Sequence, residues 1–428
     1  MMLSARRRLA VLLGALLAVA IGSGAGAETL AEAPHFATER PREPATLDER
    51  LAALKAEIEA EAAAAGVAPR VVEDAFRGVS ADTSLLELLT AQPEHVMAPW
   101  DYMGRIISET RVAEGRQKLV EQKALLDEIE AKLGVDRHVV VAIWGIESSY
   151  GVLPGKRPVI RSLATLAIAD PRRPAFWRKE LIAALQIVAR GDVAADSMWG
   201  SWAGAMGHTQ FMPSSFLARA VDFDGDGRRD IWQSVPDALA STASYLKQSG
   251  WQTGDAWGLE VVLPAGFVYR SAGPRDAREL DEWRALGLAP PAGRPWPPGL
   301  SRAALLLPAG MHGPAFLVGG NFHAILKYNN ATLYALAVGH LADRLAGHPS
   351  LAALWPTDDP PLDLAGRKEL QRYLAAEGHD VGGIDGIIGD GTRSAVRAWQ
   401  AEQGIPADGW AGSLLLEHLR RSRSASSE

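Results

Sequence analysis

Residues 136–151, DRHVVVAIWGIESSYG, impose two demands on one short stretch of chain. Asp136 stands where a helix N-cap belongs, and Val139, Val140, Ile143, Trp144 and Glu147 follow at spacings of three and four residues. That spacing places Ile143, Trp144 and Glu147 on one helical face. A carboxylate among branched aliphatics and an indole is costly to ionise, so the expected pKa of Glu147 lies above the ordinary value of about 4.3. A carboxylic acid kept protonated near neutral pH can protonate the leaving oxygen of a glycosidic bond. The alternative is a helix-end glutamate that turns to solvent or pairs with an arginine.

A second run, GSWAGAMGHTQFMPSS at 200–215, joins small residues to Ser201, Trp202, Gln210 and Phe211. Gly204 and Gly207 permit tight turns and close backbone approach. The polar side chains and flat aromatic faces are what a sugar-binding wall requires. Together with KYNNATLYALAVGHLAD at 327–343, these runs resemble the membrane-bound lytic murein transglycosylase B family over about residues 47–345.

Composition narrows the function classes. The formal net charge of −7 argues against a nucleic-acid binder, which normally carries a basic field. There are no cysteines, so disulfides, thiolate metal sites and a cysteine nucleophile are excluded. Members of the resembled family are often tethered through a lipidated cysteine, and this sequence departs from that pattern, so no lipid anchor is expected. Arg6, Arg7 and Arg8, an apolar run from Leu9 to about Ile21, and Ala25-Gly26-Ala27 read as a signal peptide over 1–27. The expected location is the periplasm, with the protein soluble after cleavage; an uncleaved N-terminal anchor is the alternative.

Along the chain, 28–46 reads as a flexible leader and 47–66 as an Ala/Glu/Leu-rich helix followed by a helical hairpin to Gly78. Residues 112–133, 136–148, 178–190 and 235–249 read as further helices. From 259 to 318 short apolar runs (LEVVLP, FVYR, ALLLP, AFLVGG) alternate with Pro- and Gly-rich turns, which predicts a small β insertion. Helical texture returns at 322–345. The expected class is mainly α (α+β). The resemblance implies a lysozyme-like helical catalytic core (121–257 and 321–345) with an α subdomain at 47–120 and the β insertion at 258–320. After a Pro-marked linker at 346–362, residues 363–421 carry an internal echo, Asp385-Gly-Ile-Ile-Gly389 and Asp408-Gly-Trp-Ala-Gly412, set among helix-like stretches. Packing these pieces together would bury Leu370, Leu374, Val396 and Trp399. The pattern resembles a three-helix peptidoglycan-binding domain; a dimerisation or spacer module is the alternative.

The resemblance implies a lytic transglycosylase with peptidoglycan glycan strands as its partner and Glu147 acting alone, first as acid and then as base. Its product would carry a 1,6-anhydromuramic acid end. Most glycosidases use two carboxylates, and Asp170 is the next acidic residue along the chain after Glu147. By the same resemblance Ser201, Gln210, Tyr245, Tyr328, Asn329 and Tyr334 line the cleft. Arg172 and Arg173 would meet lactate or stem-peptide carboxylates. Phe176 stands where relatives can carry a tyrosine. Core packing for the tyrosines and a solvated loop for the arginines are the alternatives. A hydrolytic muramidase and a catalytically silent wall-binding scaffold are the rival functions.

Residues 222–233, DFDGDGRRDIWQ, have the spacing of a calcium loop. Asp222, Asp224 and Asp226 fall at positions one, three and five, Arg228 at seven and Asp230 at nine. Gln233 replaces the usual glutamate at twelve, and Asp237 is the substitute from just beyond the loop. No cofactor is needed for chemistry, and a bound calcium would be structural; a metal-free Asx turn is the alternative. His208, His323 and His340 read as surface or core residues.

Overall fold

The structure, a computed structural model, describes residues 46–90, 97–269, 273 and 276–426. The segments read as signal peptide and leader therefore lie outside the described residues, except Thr46. Thr46 caps the first helix, α1 (Leu47–Ala64), through a reciprocal capping box with Glu49. Helices α2 (Pro69–Ala75), α3 (Ser84–Thr90) and α4 (Pro99–Ile106) follow. The run 112–133 forms two helices, α5 (Glu109–Glu121) and α6 (Lys123–Leu133), broken at Gln122. The break has a packing cause. Val112 and Gly115 are the buried face of α5 against later helices, whereas Leu126 and Ile129 of α6 serve a different contact. One straight rod could not serve both.

Asp136 caps α7 (Arg137–Ser148), its carboxylate accepting from the His138 N–H at 2.7 Å. Helices α8 (Val159–Ala169) and α9 (Pro174–Arg190) pack on α1, and α10 (Pro213–Arg219) packs on α9. Strands β1 (Arg157–Pro158) and β2 (Trp199–Gly200) pair antiparallel, and α11 (Val235–Gln248) leads into the insertion. There β3 (Gly258–Val261), β4 (Arg278–Glu279), β5 (Arg302–Leu306) and β6 (Ala315–Val318) form an antiparallel sheet in the order β3-β6-β5-β4, with α12 (Leu280–Ala285) following β4. The FVYR run is not a strand. Phe267 and Tyr269 instead pack against the insertion's core, and Arg270 lies outside the described residues.

The sheet is buried on both faces, which explains its unbroken apolar strands. Ala304, Leu306, Phe316 and Val318 join the core of the helical region. Their alternates Ala303, Leu305, Ala315 and Leu317 join a separate core with Trp283. The chain leaves β6 directly into α13 (Gly320–Tyr328) and α14 (Thr332–Leu345), and α14 packs along α7.

The C-terminal unit consists of α15 (Leu364–Ala376), α16 (Asp390–Glu402) and α17 (Ser413–Ser426), which bury Leu370, Leu374, Val396 and Trp399 together. The connecting segment is held along its length. Ala352 and Ala353 donate their N–H groups to Glu260 at 2.8–2.9 Å, and Trp355 packs on the helical core. Asp408 also accepts from the Met311 N–H at 2.9 Å, tying the C-terminal helices to the β insertion. The described residues from Thr46 onward thus form one compact unit. Among the described residues no helix is long and apolar enough to cross a membrane.

Gly145 lies two residues before Glu147 and faces the Tyr150 ring, which a Cβ there would approach to 2.5–2.7 Å. Tyr150 cannot swing away freely, because it is buried and its hydroxyl donates to the Arg111 carbonyl at 2.7 Å. Gly145→Ala should therefore cost about 1–3 kcal/mol by overpacking, despite alanine's better helix propensity. Urea unfolding of the two proteins checks this; unchanged stability would contradict the packing described here.

Candidate active site

Helix α7 delivers Glu147 on its last turn, after a run from Val139 to Gly145 that is buried without interruption. Just past it the backbone turns sharply, with Ser149 and Tyr150 both left-handed at φ 50° and 58°. Two consecutive non-glycine residues in that region are costly, and strain of this kind gathers at functional sites. The turn is pinned. Ser148 Oγ donates to the His208 carbonyl at 2.5 Å, and the Trp144 indole donates to His208 Nδ1 at 3.0 Å.

The Glu147 carboxyl is partly buried, and Tyr334 on α14 donates its hydroxyl to Oε1 at 2.5 Å. Burial pushes the carboxyl up to about 7, against the opposing pull of the Tyr334 hydrogen bond. Charged neighbours are not among the causes, so the shift comes from desolvation. Asp170, the next acid along the chain, is spent elsewhere: it accepts from Arg172 and from the Trp177 indole.

Around Glu147 stands an aromatic cluster. The Tyr328 and Tyr334 hydroxyls are held well above their ordinary pKa by burial and then by the Glu147 charge. Tyr102 on α4 feels the same two influences. Tyr328 donates to the Thr209 carbonyl at 2.5 Å and Tyr245 to the Lys327 carbonyl at 2.7 Å. Their rings lie 4.6 Å apart, and Phe211 meets both edge-on at 5.7 and 5.8 Å. These three aromatics join α11, α13 and the small-residue loop.

That loop is built as the glycines require. Gly204 and Gly207 have φ of 83° and 70°, and a Cβ on them would strike Leu163 and the Ile231 carbonyl. Ser201 Oγ accepts from the Ala205 N–H at 3.0 Å. Gln210, itself at φ 54°, donates through Nε2 to the Gly207 and Pro154 carbonyls at 2.9 and 3.0 Å. Both side chains therefore shape the loop, with Ser201 keeping its own proton and Gln210 its carbonyl oxygen for other contacts. Asn329 is exposed just beyond α13.

Arg172 and Arg173 stand apart from this cluster. Arg172 pairs with Asp170 at 2.8 Å, and Arg173 stacks on the Phe176 ring with its guanidinium carbon 3.9 Å from the centroid. At position 176 the ring is thus a platform, a role that needs no hydroxyl. Among the described residues neither arginine bonds to Glu147 or the tyrosines.

In the 222–233 loop, Asp222, Asp224 and Asp237 bring carboxylate oxygens within 4.8 Å of one another. Asp237 is buried at the start of α11 and accepts N–H bonds from Phe223, Asp224 and Asp230, while burial raises its pKa. The sequence-expected set is only partly gathered. Asp226 turns to the Arg228 backbone and guanidinium, and Asp230 caps the following turn through the Trp232 and Gln233 N–H groups. Three acidic groups at this separation, with oxygen donors only, fit a hard divalent cation.

The family model for the Transglycosylase SLT domain matches residues 50–343. The chain belongs to that family. A model for a peptidoglycan binding domain matches residues 364–419. Membrane-bound lytic murein transglycosylase B of Escherichia coli K12 is 36% identical over 220 residues, which is 50% of this chain and 58% of that protein. The chain therefore matches less than two thirds of that relative's length. The crystal structure of SltB3 from Pseudomonas aeruginosa, in complex with NAG-anhNAM-pentapeptide, is 50% identical with a TM-score of 0.83, covering 86% of this chain and 99% of that one. Escherichia coli Slt35 in complex with calcium is 30% identical with a TM-score of 0.58, covering 68% and 92%.

Within this Transglycosylase SLT domain, sequence reading missed two contributors. Tyr102 gave no signal, since its helix is short and it reaches Glu147 only through the packing of α4 on α14. His208 is a half-buried histidine, as its sequence reads, but the sequence does not show that its ring and carbonyl both hold the last turns of α7. Burial lowers its pKa, which suits a neutral ring accepting at Nδ1.

The Tyr334 hydrogen bond favours the ionised form of Glu147, so its loss should move the pKa upward from about 7. Difference infrared titration of Tyr334→Phe, with Glu147→Gln as the blank, should show that rise. A midpoint that stayed or fell would mean the hydroxyl does not act on this carboxyl.

Proposed function

We propose that this chain is a peptidoglycan lytic transglycosylase that cleaves the β-1,4 bond between N-acetylmuramic acid and N-acetylglucosamine. The observation that carries the reading is a lone carboxyl, raised to about 7 by burial, beside a wall of aromatic rings. At that pKa one group can serve as both acid and base. Glu147 donates its proton to the bridging oxygen as the C1–O bond breaks. The substrate's own N-acetyl group offsets the positive charge developing at C1. Glu147, now ionised, takes the proton from the C6 hydroxyl as O6 bonds to C1. The carboxyl is protonated again, a 1,6-anhydro ring is formed, and no water is consumed.

The supporting residues take roles that follow from their positions. Tyr334 orients the carboxyl and moderates its pKa, while Tyr328 and Tyr245 offer flat faces to sugar rings and the buried Phe211 supports them from behind. Ser201, Gln210 and Asn329 supply polar contacts. The comparison with SltB3, whose structure holds a NAG-anhNAM-pentapeptide, supports the substrate class. Residues 47–345 would form the catalytic region and 363–421 the wall-binding domain, acting at the cell wall in the periplasm after export. Asp222, Asp224 and Asp237 would hold a structural calcium, by analogy with the calcium complex of Slt35. That ion would offset the mutual repulsion of three crowded carboxylates, two in the loop and Asp237 at the start of α11, and take no part in bond breaking.

Glu147→Gln should keep the fold but lose cleavage by about 10²- to 10⁴-fold or more, since an amide neither donates nor accepts the proton. Sacculi digested with wild type should release muropeptides one water lighter than those from a hydrolase, as read by mass spectrometry. Near-wild-type turnover by the variant, or reducing-end products from the wild type, would defeat the proposal. Because the acid form must be present in the free enzyme, kcat/KM should fall as pH rises through about 7.

Calcium should raise the melting temperature, and a chelator should reverse the gain without abolishing cleavage of short glycans. Scanning calorimetry is the check. Identical melting with and without calcium would make the loop a metal-free turn.

A further inference from the structure

His208 meets the catalytic turn at three points that bracket Glu147 in sequence. The indole of Trp144, three residues before the glutamate, donates to the ring Nδ1 at 3.0 Å. Ser148, the next residue after it, donates to the His208 carbonyl at 2.5 Å. Gly151, four residues after it, lies so close to the ring that a Cβ there would stand 2.4 Å from Cε1 and 2.6 Å from Nδ1. Trp144 is buried, so its N–H depends on the acceptor it is given. Trp144 is in turn edge-on to Tyr150, with 5.7 Å between the ring centroids.

The other side of His208 is fixed by the end of the 222–233 loop. Its N–H donates to the Ile231 carbonyl at 3.0 Å, and its ring hydrogen-bonds the Trp232 backbone. The Trp232 N–H is already given to Asp230, so the ring's partner is the carbonyl. A ring that accepts at Nδ1 and donates to a carbonyl carries its one proton on Nε2. Both nitrogens are then spent within the protein, and neither is left for a sugar. Burial lowers the ring's pKa against the opposing pull of the Trp232 bond and the Asp230 charge. Charged groups do not figure among the causes of the Glu147 shift, in line with an uncharged ring beside its turn.

We infer that His208 is a positioning residue for the reaction: braced on the 222–233 loop, it fixes the last turn of α7 so that the Glu147 carboxyl stays buried and aimed at the bond to be broken. The inference rests on the reading of Glu147 as acid and base given above. Position is where small movements tell, since a displacement of about 1 Å can cost about 10²-fold in rate. The left-handed pair Ser149 and Tyr150 holds strain in this turn, which a released clamp would let relax. Few side chains can do the task. It takes an acceptor for an indole N–H on one side and a donor to a carbonyl on the other. It also takes a neutral group, because a cation here would favour the ionised form of Glu147. Neutral histidine meets all three demands, and so does the amide of glutamine, whereas lysine and arginine fail the first and the third.

Two substitutions in the full-length protein separate the hydrogen bonds from the packing. His208→Phe keeps a flat ring over Gly151 but neither accepts from Trp144 nor donates to Trp232, whereas His208→Gln can keep both bonds. On short soluble glycans, kcat of His208→Phe should fall by about 10²-fold with KM nearly unchanged, and His208→Gln should recover most of the loss. Carboxyl ¹³C resonances should show the Glu147 midpoint of His208→Phe falling by about one unit as water reaches the loosened turn, with His208→Gln close to wild type. Trp144→Phe removes the donor of the same bond and should lower kcat and the midpoint in the same direction. In the double variant the two losses should not add. Should His208→Phe fail to fold, Trp144→Phe carries the test alone, and wild-type kcat in it would overturn the inference. Wild-type kcat in a folded His208→Phe, an unmoved Glu147 midpoint, or a His208→Gln as impaired as His208→Phe would each do the same. The wild type's product is weighed alongside. Anhydro ends with an unmoved midpoint in His208→Phe would remove this inference alone, whereas a fallen midpoint with reducing-end products would remove only the proposed reaction.

Discussion

The Glu147 carboxyl owes its chemistry to where α7 ends. Seven consecutive buried residues, Val139 to Gly145, carry the helix through the core, and the chain then turns through two left-handed residues at Ser149 and Tyr150. The carboxyl is left with one strong partner, the neutral Tyr334 hydroxyl, and little water. Desolvation outweighs the hydrogen bond, so the pKa settles near 7 instead of in the carboxylate range. An arginine or lysine within a few ångströms would have reversed that result.

Holding this arrangement requires elements distant in sequence. Tyr334 lies 187 residues after Glu147, beyond the whole β insertion. The insertion does not merely loop out between α11 and α13. Its sheet buries one face on the helical core, and β6 feeds directly into α13, so the return helices emerge against α7. The Tyr245–Tyr328–Phe211 contacts tie α11, α13 and the glycine-bearing loop together, with Tyr328 near enough to feel the Glu147 charge. The connecting segment after α14 is clamped by Glu260, and Asp408 reaches Met311. The C-terminal helices are therefore packed on the insertion, not hung from a free tether.

Much of this was legible in local sequence because it is encoded locally. The Asp136 cap, the apolar face ahead of Glu147, the obligate glycines at 204 and 207, and the spacing of Asp222 and Asp224 each depend on a few neighbouring residues. The expected burial of Leu370, Leu374, Val396 and Trp399 followed from helix periodicity in the same way. What escaped notice depended on tertiary contact. No local signal marks Gln122 as a break, since helix propensity runs straight through it and only the different partners of α5 and α6 demand it. FVYR has strand composition but packs as a loop. Tyr102 acquires its role only when α4 packs on α14, and His208 only when the 200–215 loop closes on α7.

The most direct test of the account is the ionisation of Glu147 in the resting protein. Carboxyl ¹³C resonances of glutamate-labelled wild type, assigned by their loss in Glu147→Gln, should show this side chain titrating near pH 7. A midpoint at the ordinary value of about 4.3 would mean that burial does not govern the carboxyl, and Glu147 could not serve as the acid.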